Sequence, residues 1–177
     1  TMGGFGEISD VSKNRGSTVL LAVFRFCVLL AAGLLSGAVF GVWLMERSFG
    51  GGASFYTQLK QLQIPAFTVP LSSIGAATVA LGLIYLFLIR GNRLAAGLTL
   101  AGVLCYVVGF AVTVWVNFPI NAEIMGWSAE APPEGWAQLA VDWRRAHGLR
   151  TLLSVLGFGL LLAGAVLPAE GGGRRRR

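Results

Sequence analysis

FCVLLAAGLLSGAVFGVWL, Phe26–Leu44, runs for 19 residues without a charge. A helix needs about 20 apolar residues to cross the hydrocarbon core of a bilayer, so this stretch decides the fold class. Arg25 precedes it and Trp43 lies near its end, residue types that settle at the two membrane faces. The run is too long and too rich in glycine for a signal peptide, and no small-residue cleavage site follows it. Gly33, Gly37 and Gly41 recur at every fourth position. They make one smooth face on which a second helix can approach closely, either from this chain or from another copy of it.

Three further apolar segments follow. The second span is expected over about 65–89, with Pro65 and Pro70 near its start, where proline is tolerated in a first turn and kinks the helix if it lies deeper. Arg90-Gly91-Asn92-Arg93 forms a tight basic turn, the third span covers about 94–117, and the fourth about 148–167. With the first span at about 18–45, the chain reads as an all-α integral membrane protein. It is a four-transmembrane-helix bundle with two longer extramembrane connections on one side. Residues 1–16 read as a mobile arm, 17–169 as one membrane domain, and 170–177 as a Gly/Arg tail, either a cytoplasmic anchor or a remnant of cloning.

Composition agrees. The chain has 177 residues, 12% of them charged, with a mean hydropathy of +0.70, whereas soluble domains carry about 25% charged residues. The net charge of +6 is not a nucleic-acid footprint, because four of the cations are Arg174–Arg177 and no basic stripe with interleaved aromatics exists. Lys13, Arg15, Arg25, Arg90, Arg93 and the tail fall on the side of the termini; Arg47, Lys60, Arg144, Arg145 and Arg150 fall opposite. That imbalance favours cytoplasmic termini, with a bacterial inner membrane as the expected location. Cys27 and Cys105 sit singly inside apolar runs without a CxxC partner, so they read as small core residues rather than redox groups.

The two connections carry the polar chemistry. In the first, Gly50-Gly51-Gly52 breaks the helix, and Ser54–Gln63 reads as a short amphipathic helix at the interface, with Phe55, Leu59 and Leu62 on its apolar side. The second, 117–150, holds the single histidine and three of the five tryptophans. Pro132-Pro133-Glu134 marks a helix start, and from Trp136 the pattern runs helically into the last span. Trp136, Trp143, His147 and Arg150 are spaced by seven, four and three, on one helical face with Ala140. Arg150 stands at the mouth of the fourth span, where an unpaired charge costs about 2.5–3.5 kcal/mol; Glu46 and Glu123 are the nearest acidic partners by depth. Asn117 and Asn121 flank Pro119, whose missing N–H leaves the Trp115 carbonyl free. They either cap the third span or line a cavity. There is no second histidine, no HExxH and no Glu-xxx-His pair, so no metal site is expected. No cofactor is expected either; haem with His147 as axial ligand is the remaining alternative.

Asn-Phe-Pro-Ile-Asn (117–121), Trp127, Pro-Pro-Glu-Gly-Trp (132–136) and Asp-Trp-Arg-Arg-Ala-His-Gly-Leu-Arg-Thr (142–151) together resemble the anthrone-oxygenase-like family of small four-span membrane proteins. The family's Asn-x-Pro-x-Asn and His-x-x-Arg-Thr fall on Asn117, Pro119, Asn121, His147, Arg150 and Thr151. Gly37–Trp43 resembles its Gly-rich first span and Tyr56–Gln63 its Gln-bearing connection. Where the family often has an asparagine after that connection, this chain reads Ile64-Pro65-Ala66-Phe67. The resemblance implies oxidation of anthrones to anthraquinones, the activity of fungal members; most bacterial members have no assigned function.

Two functions follow as expectations. The first is a membrane oxygenase or oxidase acting on an apolar aromatic substrate delivered from the lipid. In it His147 takes a proton, Arg150 holds the oxyanion, and Asn117 or Asn121 donates further hydrogen bonds. Trp136, Trp143, Tyr56 and Gln61 contact the substrate. The second is a non-catalytic membrane subunit or lipid- or quinone-binding protein, in which the same cluster is a polar lock between helices. A transporter is a weaker third reading, since one four-span chain offers no inverted repeat. Expected partners are membrane lipid, an apolar small molecule or quinone, and a second copy of the chain through Gly33, Gly37 and Gly41, with no nucleic acid.

Overall fold

The computed structural model describes residues 4–48 and 50–167, with side chains from residue 16 onward. The chain forms α1 (Gly4–Ser48), α2 (Ala53–Ile89), α3 (Arg93–Val112), a π-helical turn (Thr113–Asn117), α4 (Phe118–Met125) and α5 (Trp136–Val166). α3, the π turn and α4 are continuous, so four helices are long and apolar enough to cross a membrane. Their outward residues are as apolar as their inward ones: Phe26, Leu34, Leu83, Leu104 and Leu152 are all exposed. In water such a surface would drive aggregation; in lipid it is the ordinary exterior. The protein is an integral membrane four-helix bundle. The helices stand in a ring in chain order, α1 on α2, α2 on α3, α3 on α5 and α5 on α1.

The α2–α3 turn closes as expected, with the Asn92 side chain accepting from the Ala95 N–H at 3.1 Å, an ordinary N-cap. The backbone of α1 is already helical within the segment read as an arm, while 170–177 lies outside the described residues. The larger difference is at the first connection. α1 continues to Ser48 and α2 begins at Ala53, and α2 runs unbroken through Pro65 and Pro70. The stretch 54–63 is therefore the first part of a spanning helix rather than a separate interfacial one. Its apolar side faces outward, with Leu62 74% exposed, whereas Tyr56, Thr57, Lys60 and Gln63 are buried.

Close helix contact falls mainly between α3 and α5. A Cβ on Gly102 would lie 2.9 Å from the Gly157 carbonyl oxygen, and one on Gly164 would lie 2.9 Å from Thr99 Oγ1. Gly33 faces Phe158 of α5 at ordinary contact distance, but Gly37 and Gly41 point outward with nothing near them. Interior hydroxyls are mostly satisfied within their own helices: Thr78, Thr113, Thr151 and Ser154 each donate to the carbonyl four residues back. Two apolar cores result. One at mid-bundle is built on Val28, Ala32, Val103 and Leu161; the other, at the loop end, on Tyr56, Ile124 and Ala140. A polar layer lies between them.

Candidate active site within the membrane

The polar layer begins at the π turn. Because Pro119 has no N–H, the regular ladder cannot continue through it, and the Phe118 N–H reaches back five residues to the Thr113 carbonyl. The extra residue turns Asn117 inward, where it is 1% exposed. Its Nδ2 donates to the Trp143 carbonyl at 3.4 Å, while its Oδ1 has no partner. One turn on, Asn121 Oδ1 accepts from Trp143 Nε1 at 2.8 Å.

α5 supplies the facing residues. The Trp143 and His147 rings stack at 4.7 Å with 10° between planes. Nε2 of His147 is 3.1 Å from the Val39 carbonyl oxygen on α1, and Nδ1 accepts from Arg150 Nε at 3.0 Å. An arginine only donates, so Nδ1 carries the lone pair and Nε2 carries the proton given to Val39. Arg150 also donates from Nη1 to Thr113 Oγ1 at 3.3 Å. Neither expected carboxylate meets Arg150: Glu123 is exposed, and Glu46 pairs instead with Lys60, Nζ to Oε1 2.6 Å. Lys60 is completely buried, with its ammonium 3.0 Å from the centre of the Trp143 ring.

These groups surround a cavity of about 90 Å³. Leu35, Val39, Val42, Phe67 and Phe110 form an apolar wall; Lys60, Asn117, Asn121, Trp143 and Arg150 form the polar one. At about 1.5 Å per residue, Arg150 stands roughly 21 Å along α5 from Trp136 and roughly 24 Å before Val166. The cavity is thus well inside the bundle. Phe67 and Phe110, on α2 and α3, line it and are also exposed on the outer surface.

Of the residues singled out in the sequence, Asn117, Asn121, Arg150 and Trp143 therefore meet at one cavity. His147 stands behind them and is not part of the wall. Tyr56 and Trp136 meet with ring centres 5.6 Å apart and planes tilted by 41°, beside a different recess at the loop end. Gln61 donates to the carbonyls of Ile124 and Trp127 at 3.2 and 2.9 Å, which fastens the end of α4. The sequence reading had missed Lys60 and Thr113 as members of the site. The available signal was that Glu46 and Lys60 flank the glycine break and meet once both helices are extended to it.

Among the described residues no three His, Cys, Asp or Glu side chains converge as metal ligands. Ligating a haem through His147 would break its bond to either Val39 or Arg150.

The chain is a small four-span membrane protein whose interior cavity has one apolar and one donor-rich wall. The model of the anthrone oxygenase family matches residues 64–160, more than half of the chain, and the chain belongs to that family. No curated protein and no solved structure matches it significantly.

Proposed function

We propose that this chain takes an apolar aromatic carbon acid of the anthrone kind from the lipid and promotes its reaction with O₂. The observation that carries the reading is the two-walled cavity, which Arg150, Lys60 and Asn117 line opposite an apolar wall. Loss of a proton from the methylene of an anthrone gives an aromatic anion whose charge rests largely on the former ketone oxygen. Arg150 is placed to hold that oxygen, with Asn117 Nδ2 nearby. The anion carbon bonds to O₂, the peroxide anion takes up one proton to replace the one lost, and the hydroperoxide loses water to give the quinone, so that anthrone and O₂ become anthraquinone and water. This route uses no resident cofactor. His147 would then act as a positioning residue, because it receives Arg150 Nε and fixes the guanidinium. A cavity of about 90 Å³ is smaller than the 300 Å³ or more typical of ligand sites. The ring system would enter by turning aside Phe67 and Phe110 on the lipid face.

The orientation proposed is termini inward. Lys60 and Arg150 lie inside the bundle, leaving Arg47, Arg144 and Arg145 on the loop side against Lys13, Arg15, Arg25, Arg90 and Arg93 on the other.

The test is oxygen uptake by the full chain in lipid nanodiscs supplied with anthrone, with anthraquinone followed by absorbance and empty nanodiscs as the blank. Uptake well above the blank, reduced about 100-fold or more in Arg150→Gln, is expected. Uptake equal to the blank overturns the reading. One observation favours a non-catalytic alternative: both ring nitrogens of His147 are engaged, Nε2 tying α1 to α5 through Val39 and Nδ1 bracing Arg150 within α5. In that reading the cluster is a structural lock around a bound quinone or lipid, and the parent protein binds anthrone without consuming O₂.

A further inference from the structure

Glu46 near the end of α1 and Lys60 in the first part of α2 form a pair with two different outlooks. Lys60 is one of the residues that line the cavity. The Glu46 carboxylate is absent from that wall. It lines one recess with Tyr56, Trp136 and Arg144, and a wider one with Arg47, Arg145 and His147. The wider recess lies between the ends of α1 and α5, where Arg47, Arg144 and Arg145 are exposed. The 2.6 Å contact between Nζ and Oε1 therefore joins a residue of the cavity wall to one at the water-facing end of the bundle.

A second hydrogen-bonded pair makes a similar bridge, from Arg150 in the cavity wall to His147 beside the wider recess. It cannot relay a proton, because a guanidinium does not give one up in proteins. Lysine and glutamate both can. Away from water the Coulomb gain of an ion pair is largely cancelled by the desolvation of both charges. The charged pair and its neutral tautomer are then close in energy, and the proton can lie on either side of the short bond.

We propose that Lys60 takes the substrate's proton in the cavity and that Glu46 releases a proton to the water side. This rests on the oxygenase reading for its substrate. The resting pair is ammonium and carboxylate. Transfer of one proton along the bond gives amine and carboxylic acid. The amine removes a proton from the carbon acid, the C–H electron pair stays with the substrate, and Lys60 becomes ammonium again. Glu46 loses its proton to water and the resting pair is restored, so one proton has crossed from cavity to water and no electrons have moved. The substrate anion is left between the cations of Lys60 and Arg150, ready for O₂. Arg150 faces the pair from α5 on the cavity side, Arg144 faces it from α5 on the water side, and Tyr56 faces it from α2. These groups enter any pH profile of the step.

The experiment isolates the proton step by leaving out O₂. The full chain in nanodiscs is incubated anaerobically in D₂O with anthrone, and loss of the methylene signal is followed by NMR. The parent should exchange the methylene faster than empty nanodiscs. Lys60→Met should lower the enzyme-dependent rate about 100-fold or more, the span of general-base catalysis. Glu46→Gln should slow it comparably and flatten its pH profile, whereas Glu46→Asp, which still carries a proton, should restore most of the rate. The double variant Glu46→Leu/Lys60→Met leaves no unpaired charge and should unfold at the parent's temperature or above while remaining inactive. That result separates loss of the relay from loss of the fold. Exchange in Lys60→Met within about threefold of the parent overturns the proposal, as does a parent that does not exchange. A parent that exchanges but consumes no O₂ in air leaves the relay standing and overturns the oxygenase reading alone.

Discussion

Arg150 donates its Nε–H to Nδ1 of His147 at 3.0 Å, and this one bond sets the state of both side chains. It holds the imidazole neutral with its proton on Nε2, directed at the Val39 carbonyl. It also aims the remaining guanidinium nitrogens at the cavity and at Thr113. The histidine is thus a strut for the arginine, and through Val39 it joins α1 to the α3–α5 pair.

Replacing His147 by alanine should therefore act on stability as well as turnover. The Val39 carbonyl and one face of a buried guanidinium lose their partner, a cost of about 2–3 kcal/mol. For a chain of this length that is a fall of roughly 4–12 °C in Tm. Thermal unfolding in mild detergent, followed by tryptophan fluorescence, measures it. A variant as stable as the parent would remove the strut role.

The glycines divide into those that seat a helix and those that do not. Gly102→Val places a branched side chain against the Gly157 carbonyl and Leu161, and overpacking of this kind costs about 1–3 kcal/mol. Gly97→Ala, with nothing within 4 Å of the new Cβ, should instead stabilise by up to about 1 kcal/mol through helix propensity. Opposite signs in the same unfolding assay are the expected result. Two shifts of the same sign would mean that α3 and α5 do not pack through Gly102.

Gln61 holds the carbonyls of Ile124 and Trp127 from across the bundle. Gln61→Leu should raise amide exchange locally over residues 124–130, because those carbonyls end α4 and anchor the loop behind it. Global Tm should fall by only a few degrees, corresponding to about 1 kcal/mol. Hydrogen–deuterium exchange by mass spectrometry resolves the two effects. Uniform protection in the variant would contradict the anchor.

The sequence made the four spans readable because nothing else accommodates uncharged runs of this length. The spacings of seven, four and three put Trp136, Trp143, His147 and Arg150 on one face of α5; of these Trp143 and Arg150 line the cavity with Asn117 and Asn121, while Trp136 lies at another recess. The sequence reading misjudged 54–63 for a physical reason. Its two-sided pattern reads as a separate interfacial helix, but a spanning helix whose outer medium is lipid shows the same pattern, with Leu62 facing out while Lys60 and Gln63 face in. The partner of Arg150 was missed for a different reason. Matching charges by depth ignores rotation about the helix axis, and Glu46 is turned toward α2 while His147 lies one turn away on the arginine's own helix. The π turn was half visible: Pro119 disclosed the broken bond at Trp115, but not that the chain would absorb it by a five-residue turn that rotates Asn117 into the cavity.

Asn117 offers the sharpest contrast between stability and binding. Its Oδ1 is buried without a partner, and its Nδ2 makes one long bond of 3.4 Å. Asn117→Leu, of similar volume, removes an unsatisfied polar atom at the cost of a weak contact, so Tm should hold or rise. A ligand that donates a hydrogen bond to Oδ1 loses that bond in the variant, which is worth about 0.5–1.5 kcal/mol net, or roughly 2- to 13-fold in Kd. Binding of a hydroxylated anthrone, whose phenolic O–H can donate to Oδ1, by parent and variant in nanodiscs, measured by tryptophan quenching alongside unfolding, checks both signs together. If the variant loses stability and affinity in parallel, Asn117 is holding the π turn in place, and its open oxygen has no part in recognition.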